Sequence, residues 1–126
     1  MRKRFQANAD VPMGTESYKR LALELHMTGE TLIERPSPET FNTMSKMFAA
    51  LSRAGMVGEA IDLATDTMNE VCDRYTRIGK VGLSREEAAQ LRLAIANIDD
   101  RLPQLPVNRL NRAIVEVEIF CATVGA

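Results

Sequence analysis

Few residues in this chain could do chemistry unaided. Its 126 residues include one histidine, His26, two cysteines, Cys72 and Cys121, and 17 aspartates and glutamates against 16 lysines and arginines. Carboxylates on helices can hold a pair of metal ions, but such a centre also needs two Glu-x-x-His pairs, and a single histidine cannot supply them. Cys72 and Cys121 have neither CxxC spacing nor a histidine nearby, so they read as two reduced thiols rather than a zinc site or a disulfide. His26 flanks an apolar stripe beside Ala22 and Ile33, and no serine, cysteine or aspartate partner can be assigned to it from sequence. Gly79, Lys80, Val81 and Gly82 have no strand before them, as a phosphate-binding glycine loop requires. The expectation is a non-enzyme with no catalytic residue, no cofactor and no metal.

The elements that would position any site are set by the breakers. Pro12 and Gly14, Pro36 and Pro38, Gly55 and Gly58, Gly79 and Gly82, Pro103 and Pro106, and Gly125 divide the chain into five segments of helix length. The first, from Thr15 to Arg35, carries Tyr18, Leu21, Ala22, Leu25, Leu32 and Ile33 on one stripe. The second starts with Ser37 as N-cap and Pro38 at the first helical position, and has Phe41, Met44, Phe48 and Leu51 as core. Met44 and Met47 would be adaptable contact surface if this helix were exposed. In the third, Val57, Ile61, Ala64, Met68, Val71, Tyr75 and Ile78 alternate by four and three residues until Gly79. The fourth opens on a capping box, Ser84 with Glu87, and runs through Leu91, Ile95 and Ile98 until Pro103 stops it. The fifth is ambiguous: residues 114–119 alternate like a strand, yet Leu110, Ile114, Val117, Cys121 and Val124 keep helical spacing, and Arg112 and Glu116 make a favourable helical pair. Helix is the reading, since a lone strand would have no sheet to join. Short breaks between amphipathic helices predict an all-α fold, an up-and-down bundle of four to five antiparallel helices over 14–126, preceded by a flexible basic arm over 1–13.

A net charge of -1 hides a separation. Arg2, Lys3 and Arg4 form the basic arm, while Glu59, Asp62, Asp66, Glu70 and Asp73 make an acidic ridge on the third helix that is either a solvated face or a surface for a basic partner. Arg74, Arg77, Lys80 and Arg85 gather loosely around one turn, but a pI of 5.9 lacks the footprint of a nucleic-acid binder. No apolar run is long enough to span a membrane, and polar Gln6, Asn8 and Asp10 follow the basic start where a signal peptide would need an apolar stretch. A cytoplasmic protein is expected.

Two resemblances add to this. Pro38 to Met68, above all Thr40 to Met44 followed by Leu51 to Ala60, resembles one pentatricopeptide repeat, a helical-hairpin family that binds single-stranded RNA. It covers about a quarter of the chain, and neither the first 35 residues nor residues 83–124 repeat it, as a solenoid would require. More broadly, Arg2 to Phe5, Val11 to Met13, Leu21 to Met27 and Thr40 to Phe48 resemble small helical proteins carried by proteobacterial phages, plasmids and genomic islands. That resemblance implies a bacterial accessory role and brings no activity with it.

Apolar residues outside the core stripes point further. Leu23 and Met27 lie opposite Leu25, and Val115 and Ile119 lie roughly opposite Leu110 and Ile114. A helix apolar on two faces is either sandwiched within its bundle or meets another chain. These four residues are the candidate partner interface of a non-enzymatic, adaptor or inhibitor-like interaction protein, with a homodimer through the first and fifth helices as one form. Binding of single-stranded RNA is the alternative.

Overall fold

The structure is a computed structural model that describes residues 9–124. It contains five α-helices and, among the described residues, no strand. They are α1 (Thr15–Glu34), α2 (Pro38–Arg53), α3 (Glu59–Ile78), α4 (Arg85–Arg101) and α5 (Val107–Val124), with a 3₁₀ turn at Leu102–Gln104 before α5. The ambiguous fifth segment is therefore helical throughout.

The helices start and stop where local chemistry directs. Ser37 Oγ accepts from the Thr40 backbone N–H while the Thr40 hydroxyl accepts from the Ser37 N–H, and Ser84 and Glu87 make the same reciprocal pair at the head of α4. Gly79 closes α3, and Pro103 falls in the 3₁₀ turn that ends α4. Four helices then close a ring: α1 packs on α2, α2 on α3, α3 on α4, and α4 back on α1. Links between Tyr18 and Asp99 and between Glu30 and Arg92 run α1 and α4 antiparallel. The ring encloses Leu25, Leu32, Met44, Leu51, Leu91 and Ile98, all essentially without solvent contact, and each such side chain contributes about 1.5–3 kcal/mol of hydrophobic stabilisation. Gly29 sits mid-helix where α1 meets α4; a Cβ there would meet Ile95 Cδ1, so that side chain would have to shift to admit one.

Gly58, at the head of α3, has φ 121° and ψ -173°, a conformation that L side chains rarely adopt. It lets Arg101 donate to the Val57 carbonyl, with the guanidinium Nη1 only 2.6 Å from where a Cβ would stand. Gly58→Ala is expected to cost about 1–2 kcal/mol in chemical denaturation; a neutral result would mean that the α2–α3 turn relaxes freely.

Three expectations change. Residues 9–13 are packed on the domain rather than free: Met13 is buried, Asn108 holds Val11 N–H with its side-chain oxygen and Ala9 C=O with its amide, Val107 N–H donates to Val11 C=O, and Arg109 pairs with Asp10. Arg2, Lys3 and Arg4 lie outside the described residues. On α3, Ile61, Ala64, Met68 and Val71 are buried, but Val57, Tyr75 and Ile78 are exposed. Val57 precedes the helix, and α4 begins level with Arg74, leaving only a loop opposite the last turn of α3. The third change concerns α5, which stands outside the ring and packs on α2 alone among the helices.

Candidate interaction surface

With α2 as its only helical neighbour, α5 is covered along a limited stretch. Leu110 and Ala113 reach the core, but beyond them Ile114, Val115, Ile119, Phe120 and Val124 are 43–64% exposed. Of the predicted stripe, Leu110 is buried, Val117 and Cys121 are half-buried with Val117 packed on the core, and Ile114 and Val124 are exposed. Opposite the second half of α5, α2 presents Asn42, Ser45, Lys46 and Ala49, which offer little apolar surface to pack against, while Val115 and Ile119 face away from α2 altogether. Arg53 Nε meets Glu116 Oε1 at 3.0 Å and Lys46 Nζ meets Glu118 Oε2 at 3.6 Å, so ion pairs tie the two helices where apolar contact thins. Both pairs are open to water and contribute little to stability. The predicted Arg112–Glu116 pair is not formed, because Glu116 turns to α2 instead.

Grooves flank α5 on both sides. One, of about 590 Å³, runs between Ser45, Ala49 and Ser52 of α2 and Val117, Phe120 and Cys121 of α5. The other, of about 300 Å³, lies where α1, α2 and α5 diverge, with Leu21, Met47, Leu110 and Ile114 in its walls. Met47 is half-buried there, whereas Met44 is wholly buried in the core.

All four residues singled out as surplus are exposed, at 57–61%. Leu23 and Met27 ride on the outside of α1, with Met27 bordering a shallow threonine-rich hollow beside α2. Val115 and Ile119 occupy the outer side of α5. Because α1 and α5 make no helix–helix contact, the two pairs are not brought together by packing. Phe120, the most exposed large apolar residue of α5, was not among them. Its position at the margin of the stripe was the signal available: at 100° per residue it falls beside Ala113 and Val124.

His26 is exposed. Its Nε2 lies 3.1 Å from Asp99 Oδ2, and the Tyr18 hydroxyl donates to Asp99 Oδ1 at 2.8 Å. That hydrogen bond, helped by burial, holds Tyr18 above its ordinary pKa of 10. The trio staples α1 to α4. A sequence pattern could not have found it, since Asp99 lies 73 residues from His26. Of the loose basic group, Arg74 is engaged: it grips the buried Glu87 through two 2.7 Å bonds and also donates to the Gly82 carbonyl. Arg77, Lys80 and Arg85 remain exposed. The ridge residues Glu59, Asp62, Asp66, Glu70 and Asp73 are all exposed, on the side of α3 away from the core, and none makes an ion pair among the described residues.

Among the described residues, no group of three or more histidine, cysteine or acidic side chains could hold a metal ion, and no helix is long and apolar enough to cross a membrane. No family model, curated protein or solved structure matches the chain.

Proposed function

We propose that this chain is a non-enzymatic helical interaction protein, adaptor or inhibitor-like, that binds a protein partner through α5 and the groove beside it. The observation that carries this reading is a helix with apolar residues around most of its circumference but only one helical neighbour. Such a helix is stable in water when a second protein surface covers it. Phe120 has the character of an anchor, a large aromatic standing beside an open groove with Val117 and Cys121, and helix-in-groove packing is the recognition mode that fits. A cytoplasmic location and an accessory role in a bacterial mobile element, as the resemblance implies, belong to the same reading.

The test is capture from the native cell with the full chain and with a Val115→Asp, Phe120→Ala variant. A partner should be retained by the natural chain and bound about a hundredfold more weakly by the variant, the effect of two interface hot spots, while the thermal midpoint of the variant stays unchanged. Equal retention of every captured protein by both chains would overturn the reading.

A further inference from the structure

We propose that residues 1–8 of this chain strap the outer side of α5, with Phe5 seated between Val115 and Ile119. This goes beyond the interaction reading: it gives one side of α5 to the chain itself and leaves Phe120, about 100–140° around the helix, and the groove beside it to the partner.

The point of departure is the first argument. Asn108, in the first turn of α5, accepts from the Val11 N–H at 2.8 Å and donates to the Ala9 carbonyl at 3.1 Å, while Arg109 holds Asp10 at 2.8 Å. Residues 9–11 are thereby pinned to the head of α5, and residues 1–8 continue from there. Asn108 is also the first member of a stripe. Asn108, Arg112, Val115, Ile119 and Ala122 recur at spacings of four, three, four and three residues. At 100° per residue they fall within about 80° of one another, on the side opposite Leu110 and Val117. Val115 and Ile119 are 57% and 61% exposed, and α2, the one helix packed on α5, lies on the other side.

Length is the second argument. At 1.5 Å per residue, Val115 and Ile119 lie about 10 and 16 Å down the helix from Asn108. Four extended residues upstream of Ala9 cover about 13 Å, which brings Phe5 between them. Phe5 is the one large apolar side chain among residues 2–8, and its ring removes two branched aliphatic side chains from water at once. The uncharged Gln6, Ala7 and Asn8 are the residues that pass Arg112, so no like charge meets it. Charge is the third argument. In the same register Lys3 and Arg2 reach about 20–23 Å, the level of the last turn of α5. That turn carries no basic residue of its own, and the carbonyl end of a helix favours cations.

The chain has no tryptophan, so Phe5→Trp in the full chain sets a single fluorophore at the contact. Its emission should be blue-shifted and shielded from acrylamide. Adding Ile119→Asp should return it to the red of an indole in water while helicity holds, because a carboxylate does not accept an apolar ring. Leu23→Asp, on the exposed side of α1, should leave the emission blue. Arg2→Glu with Lys3→Glu should move it part of the way to the red. A red emission from Phe5→Trp alone would overturn the proposal, as would a blue emission indifferent to Ile119→Asp or equally sensitive to Leu23→Asp. A blue shift that appears only as light scattering shows the 14.0 kDa chain doubling its mass would place the strap on a second copy and overturn docking within one chain. An emission unmoved by the charge reversal would overturn the placement of Arg2 and Lys3 at the end of α5. The interaction reading fails separately: red emission with capture of a partner intact leaves that reading standing, and blue emission with no capture removes it while the strap stands.

Discussion

Leu91→Ala is expected to destabilise the protein by about 3–5 kcal/mol and lower Tm by roughly 10–20 °C, whereas Leu93→Ala, on the same helix, should change stability by less than about 0.5 kcal/mol. Leu91 has no exposed surface and lies inside the four-helix ring, so truncation loses the transfer energy of its methyl groups and leaves a cavity that neighbours such as Ala94 and Ile98 cannot fill. Leu93 is 55% exposed on the outer side of α4, and alanine is the better helix former at such a position. Urea denaturation followed by circular dichroism gives both values. Equal losses would mean that α4 is covered on both faces, which the ring does not allow.

Arg74→Met should lower Tm by roughly 10 °C at neutral pH, because it strands a buried carboxylate. Glu87 is 4% exposed and its partners are few: Arg74, and the Ser84 backbone and hydroxyl of its own capping box. The two hydrogen bonds from Arg74 hold Glu87 below its ordinary pKa of 4.5, outweighing the upward push of burial. A carboxylate with a depressed folded pKa contributes stability that is present above its unfolded pKa and lost as pH falls through the folded value. The gap in Tm between the natural chain and Arg74→Met should therefore be full at pH 7 and shrink as pH drops below about 4.5. A gap that stays constant down to pH 3 would show that Arg74 acts through packing of its aliphatic stem alone.

The experiments above on α5 differ in kind from these two. They change surface side chains and ask for lost association with stability intact, while Leu91 and Arg74 are expected to change stability directly. The separation follows from burial.

Helix boundaries were legible in the sequence because their signals are local. A serine hydroxyl reaching the backbone three residues on, a proline without an N–H, or a glycine closing a helix acts within one turn, so Ser37, Gly79, Ser84 and Pro103 mark the observed ends to within two residues. The central stripe residues were legible for the same reason, since a 3.6-residue period places Leu25, Met44, Ile61 and Leu91 on inward faces whatever the neighbour is. The same period set Leu23, Met27, Val115 and Ile119 off those stripes, but whether a neighbour covered them was decided by the tertiary structure, which leaves them exposed.

Local pattern could not say how far along each stripe a neighbour extends. Tyr75 and Ile78 continue the α3 period yet stay in water because α4 starts one turn too late to cover them. Val124 continues the α5 period yet is exposed. The pairings of Arg53 with Glu116, Arg74 with Glu87, and His26 with Asp99 were equally hidden, since each joins separate helices.

From its sequence alone, then, this protein was determined to be five helices with caps, breaks and apolar stripes, because those depend on atoms within a few residues of one another. That four of the helices form a ring while α5 stands outside it, with Phe120 and its neighbours uncovered, was decided only in three dimensions. Burial is a property of what lies opposite a residue, and what lies opposite α5 is α2, Pro38–Arg53, a helix distant from Val107–Val124 in the chain.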